Sequence, residues 1–205
     1  MEDKAKKKIK FRIIFFKRAA LIIFINIIIP SFVFSQGVDK TNMGFMFGLN
    51  VPISWGNLNG NYKSGWNFDM NFEHTVSNSI VLGGALDMSN QPGSYTEQLQ
   101  TISYTKDVSM KFVSLDGYIK LQNNLAMENE WQFFLKAGGG FFVNTYGKEL
   151  GGGGYTILFG PGLNNMLGRK GKITSGIEYR INNFEKDPVT QLQFKIGFSF
   201  CLNPK

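Results

Sequence analysis

The chain has 205 residues, 22 basic and 15 acidic side chains, 24 glycines and 15% aromatic residues. That is the length of one domain once a targeting segment is set aside. A lone cysteine, Cys201, excludes an intrachain disulfide, and with His74 as the single histidine no zinc or iron–sulfur ligand set can be assembled. Many aromatics together with many glycines suit β structure with tight turns.

Residues 1–35 read as a secretory signal. Lys4, Lys6, Lys7, Lys8, Lys10, Arg12, Lys17 and Arg18 form a basic n-region, and Ala19 to Ile29 form an apolar h-region too short to span a bilayer as a helix. Pro30 breaks it, and Val33 and Ser35 supply tolerated residues before a cut ahead of Gln36. The alternative is an uncleaved membrane anchor. The formal charge of +7 sits almost wholly in this segment, leaving +1 on residues 36–205, so a nucleic-acid footprint is excluded.

From Asn42 onward the apolar residues alternate with period two, the signature of half-buried strands. Met43, Phe45, Phe47, Leu49, Val51 and Ile53 oppose Gly44, Met46, Gly48 and Asn50. Trp66 to Phe72 then alternate with Asn67, Asp69, Asn71 and Glu73, and Ile80, Leu82, Leu86 and Met88 with Val81, Gly83, Ala85 and Asp87. A fourth stretch, from about Phe112 to Leu121, sets Val113, Leu115 and Ile119 against Ser114, Asp116, Tyr118 and Lys120. In the fifth, Trp131, Phe133, Leu135 and Phe141 oppose Gln132, Lys136, Gly138 and Gly140. The sixth sets Tyr155, Ile157 and Phe159 against Gly160 and Gly162; the seventh, Ile173, Ile177 and Tyr179 against Gly176, Glu178 and Arg180. The last sets Leu192, Phe194, Ile196, Phe198 and Phe200 against Gln193, Lys195 and Gly197.

Eight strands are expected, with polar loops at Ser54–Ser64, Ser89–Ser109, Asn144–Gly154 and Asn182–Val189. The intervening connections include short turns at Ser77-Asn78 and Asn165–Gly171. Long loops on one side and short turns on the other point to an eight-stranded antiparallel up-and-down transmembrane β-barrel, residues 36–205, with both termini periplasmic. Pro161 predicts a bulge or the end of regular pairing, because proline removes a ladder hydrogen bond.

Alternation also suits a secreted, lipocalin-like barrel that hides an apolar face around a small ligand. Two features favour the membrane barrel. The apolar faces carry no Asp, Glu, Lys or Arg, and a lipid-facing Arg or Lys costs about 2–4 kcal/mol at mid-depth. The polar faces are rich in glycine, which a narrow eight-stranded lumen needs between its larger side chains. The inner face then carries Asp69, Glu73, Asp87, Asp116 and Glu178 against Lys120, Lys136, Arg180 and Lys195, an expected cross-lumen ion-pair network. The other reading of these charges is a selective conduit. Trp55, Tyr62, Trp66 and Tyr155 are expected in the outer aromatic girdle, and Trp131, Phe200 and His74 at the opposite interface.

No catalytic or cofactor site is expected. Gly151-Gly152-Gly153-Gly154 lacks a following Gly-Lys-Ser/Thr and leads into a strand, which excludes a phosphate loop.

The segments Phe133-Phe134-Leu135-Lys136-Ala137-Gly138-Gly139-Gly140-Phe141, Phe159-Gly160-Pro161-Gly162-Leu163, Gly176-Ile177-Glu178-Tyr179-Arg180 and Ile196-Gly197-Phe198-Ser199-Phe200 resemble the aromatic-glycine strands of the small OmpA/OmpX-like outer-membrane barrel family. The resemblance covers nearly all of residues 36–205. It implies outer-membrane lipid as the surroundings and envelope or surface proteins as partners of the loops. Some such barrels modify lipid A with catalytic groups near the outer surface, the end opposite to that expected for His74. The family often ends on an aromatic residue, whereas here Cys201-Leu202-Asn203-Pro204-Lys205 follow Phe200.

Overall fold

The computed structural model describes residues 40–54, 61–99, 102–123, 131–146, 149–167, 170–184 and 187–202. The expected signal segment and Trp55 lie outside them. Nine strands follow one another: β1 (Thr41–Ser54), β2 (Asn61–Tyr62), β3 (Gly65–Ser77), β4 (Ile80–Leu99), β5 (Ile102–Gln122), β6 (Trp131–Tyr146), β7 (Glu149–Leu167), β8 (Gly171–Phe184) and β9 (Asp187–Cys201). Eight of them, all but the two-residue β2, pair antiparallel in the order β4-β3-β1-β9-β8-β7-β6-β5, and β5 pairs back onto β4. The sheet closes, so the wall has no edge strand.

The registers set the shape of the barrel. Partners followed once around the wall from Asn42 pass through Glu73, Gly83, Tyr118, Gly138, Leu158, Arg180 and Gln191, and arrive at Pro52, ten positions further along β1. Eight strands with that stagger tilt by about 40° and enclose a backbone radius of about 8 Å. Such a lumen has room for inward side chains and little else.

Glycine makes the tight wall possible where neighbouring backbone comes closest. A Cβ on Gly48 would stand 1.9 Å from the Phe194 carbonyl oxygen. At Pro161 the ladder is regular toward β6, where Leu135 faces it. Toward β8 it skips Gly160 and Pro161 and resumes at Gly162↔Gly176 in the same register. No bulge forms; regular pairing stops for two residues because Pro161 has no N–H to give. A Cβ on Gly160 would lie 1.8 Å from the Ile177 carbonyl oxygen, so glycine there lets the strands stay close despite the missing bond.

The strands run further than the alternation of apolar residues suggests. β4 and β5 stay paired to Leu99↔Ile102, so most of the expected Ser89–Ser109 loop is a β-ribbon. β6 and β7 likewise continue to Tyr146↔Glu149, past a register shift at Asn144/Thr145 opposite Gly152, whose φ is +138°. β8 and β9 continue to Phe184↔Asp187. Past the barrel the strict hydrophobic alternation disappears from the sequence, yet its Thr, Tyr and Ile residues still favour extended backbone. The Asn165–Gly171 turn is shortened in the same way, with Asn165, Met166 and Leu167 paired to Ile173, Lys172 and Gly171.

Candidate functional site: the charged lumen

The side chains sort by strand parity. Phe47, Leu49, Leu82, Ile119, Leu135, Phe159, Ile177 and Ile196 are exposed on the outer surface, while Asp69, Asp87, Asp116, Lys120, Arg180 and Lys195 are buried inside. On β5 the outward residues from Val113 to Leu121 are bracketed by exposed Lys111 and Asn123, about 20–25 Å of apolar height. The secreted lipocalin-like alternative is overturned by this polarity: the apolar face is outside, and the interior is polar and charged.

All nine charged residues singled out from the alternation point inward, and a tenth joins them. Glu73 accepts from Lys120 and Tyr118 (3.1 Å) through one oxygen and from Lys172 (2.5 Å) through the other. Above, Lys195 donates to Asp69 (3.1 Å), Asp87 (2.9 Å) and Glu178 (3.3 Å). Arg180 bonds Asp116 (2.9 Å), Glu178 (2.8 Å) and the Ser114 hydroxyl (2.7 Å). Lys136 bonds the second oxygen of Glu178 at 2.8 Å, with its ammonium 4.1 Å from the centre of the Tyr118 ring. Asn71 and Ser114 donate to Asp69 and Asp116. The described lumen thus holds five acids and five bases.

Lys172 is the residue that strand periodicity missed. It belongs to the inner parity of β8, but it precedes Ile173, the first apolar residue of that stretch, and so reads as part of the turn. Its alternation with Thr174 and Gly176 was the available signal.

The network occupies the middle and lower lumen, the lower end being that of the Ser77-Asn78 turn. Toward the other end lies a layer of buried amides, where Asn67 donates to Asn50 (2.7 Å) and Gln191 to Gln91 (3.1 Å) across the barrel. Beyond it Met110, Phe112, Phe142 and Val189 form a small apolar cluster covered by Tyr62 of β2. Tyr62 therefore caps the lumen and is not part of the outer girdle, because β2 folds back onto β4 over Gly93.

Of the other expected interfacial aromatics, Trp66, Trp131 and Tyr155 are each at least half exposed on the outer surface and Phe200 is partly buried. Trp66 shares a row with Leu49, Asn90 and Lys111. Tyr155 accepts a hydrogen bond from Asn183. His74 lies at the lower end of β3, its Nδ1 3.3 Å from the Thr41 hydroxyl, on the lipid-side parity and apart from every lumen carboxylate. Among the described residues no group of three or more His, Cys, Asp or Glu could hold a metal ion.

Solved structures place this architecture. Neisserial surface protein A superposes with a TM-score of 0.55 at 10% identity over 78% of this chain and 96% of its own. The outer-membrane protein OprG of Pseudomonas aeruginosa gives 0.58 at 10% identity over 82% and 98%. The chain has the fold of the small outer-membrane β-barrels. No protein-family profile matches it, and neither does any curated protein sequence. At such identities the shared property is the closed eight-stranded barrel.

Proposed function

We propose that residues 1–35 are a secretory signal and that the remainder works in a bacterial outer membrane as a closed, non-catalytic barrel. In this reading both termini are periplasmic, and the ribbons of β4–β5, β6–β7 and β8–β9 stand outside the cell. The barrel is an anchor, and the ribbons and loops are the surface that meets lipids or other envelope proteins. One observation carries the reading: a wall with an uncharged apolar exterior encloses an ion-paired interior. Water would not tolerate that exterior, and lipid would not tolerate that interior unless each charge were paired.

The lumen is read as filled. The charge network, the amide layer and the cluster under Tyr62 follow one another along it and leave no wide path for solutes. The non-catalytic reading fits His74, the single histidine, whose Nδ1 has the Thr41 hydroxyl as its hydrogen-bond neighbour among the described residues. Fractionation of cells producing the full chain tests the location. Recovery in the outer membrane, with gel mobility that changes on heating, is expected; recovery as a soluble periplasmic protein would overturn it. Large, steady unitary currents in planar bilayers would overturn the filled lumen.

A further inference from the structure

The ten lumen charges balance as a set but not locally. In the lower group Lys120 and Lys172 share the single carboxylate of Glu73, which leaves one positive charge in excess. In the upper group Lys136, Arg180 and Lys195 face Asp69, Asp87, Asp116 and Glu178, one negative charge in excess. Buried charge that lacks a counter-charge is strongly disfavoured. Lys120 shows the deficit directly: past its bond to Glu73, its ammonium lies 4.2 Å from the centre of the Phe134 ring, a weaker partner than a carboxylate.

A cavity lies between the two groups. Lys120 and Lys136 stand on its wall with Tyr118 and Phe134, and Gly160 and Gly176 leave it unfilled on the far side. Lys136 is the most exposed of the described ion-paired side chains, at 12%. The carboxylates on the wall are already committed. Glu73 accepts from two lysines, and Glu178 from Lys136, Lys195 and Arg180.

We infer that this cavity binds one small monovalent anion, of halide size, between the ammonium groups of Lys120 and Lys136. The anion supplies the counter-charge missing from the lower group, and the aromatic rings of Tyr118 and Phe134 close the site around it. Cations are disfavoured because Lys120, Lys136 and Lys195 all line the cavity, and its two carboxylates, Glu73 and Glu178, are already ion-paired. A polyatomic anion such as sulfate is disfavoured because it brings a second charge to neutralise.

Crystals of the detergent-solubilised full-length protein soaked in bromide, and separately in rubidium, test the site by anomalous scattering. A bromide peak in contact with Lys120 and Lys136 is expected. Rubidium there, or bromide on surface lysines only (an adventitious ion only), would overturn the inference. A second measurement needs no crystal. The unfolding temperature should rise when gluconate is replaced by bromide at constant ionic strength, and Lys120→Met and Lys136→Met should each lose the rise. Lys111→Met, on the outer surface, should keep it. No rise in the unmodified protein, or an unchanged rise in both lumen variants, would sink the proposal. These readouts need only the folded barrel, so they are independent of where in the cell it resides.

Discussion

Lys195 on β9 and Asp87 on β4 meet at 2.9 Å across the lumen, joining strands whose contacting residues lie 108 positions apart in the chain. The same ammonium holds Asp69 of β3 and Glu178 of β8. Four staves of the wall are tied to one buried nitrogen.

Removing that nitrogen should therefore be costly. Lys195→Met keeps the length of the side chain but leaves three carboxylates short of a partner, and breaking a buried pair in this way costs about 3–5 kcal/mol. Urea unfolding in detergent or lipid, read as loss of the heat-modifiable band, should show a clear drop in midpoint. Lys111→Met on the outer surface should leave it almost unchanged.

Backbone contacts around the glycines predict a sharp contrast between two substitutions. Gly48→Val would drive a side chain into the Phe194 carbonyl, 1.9 Å from the first added atom, and should prevent most of the protein from closing its barrel. Gly84→Ala meets its nearest atom, the Asp116 carbonyl oxygen, at 3.6 Å and should fold like the unmodified chain. The fraction of heat-modifiable protein after refolding into detergent compares the two.

The apolar exterior predicts a dependence on position for new charges. Ile196→Arg, at one of the most exposed apolar sites on the wall, should cost about 2–4 kcal/mol if that surface faces lipid. Asn123→Arg, past the lower end of the apolar stretch of β5, should cost almost nothing. Equal and small effects of both on stability in bilayers would argue that the exterior meets water.

Orientation is open to labelling in intact cells. On a Cys201→Ser background, Asp107→Cys in the β4–β5 ribbon should react with a membrane-impermeant maleimide, whereas Asn78→Cys in the turn after β3 should react only after the cells are broken. The reverse pattern would place the ribbons in the periplasm.

Strand identity and facing were legible in the sequence because a period of two is a local property. Trp66, Phe68, Met70 and Phe72 announce their face without reference to any other strand. The inward placement of Asp69 and Glu73 follows from that period together with the absence of charge among the apolar positions. The reach of β4 and β5 to Leu99↔Ile102 was not legible, since the sequence between Asn90 and Ser109 keeps no strict hydrophobic rhythm. Lys172 was hidden for a related reason, standing at a strand start where alternation has only one side to be counted from.

By itself the sequence determined that this chain forms alternating strands with an uncharged face and a glycine-and-charge face, and so which side each residue takes. The tertiary structure decided which residues meet. Local periodicity is blind to register, and register is what carries Asn42 around eight strands to Pro52 and brings Asp87 of β4 to Lys195 of β9. The same closure folds β2 over the lumen, so that Tyr62 covers Phe112 and Phe142 instead of facing outward. Several of the counter-charges come from strands that are not neighbours in the wall, as Asp116 of β5 does for Arg180 of β8, and only the closed ring brings them together.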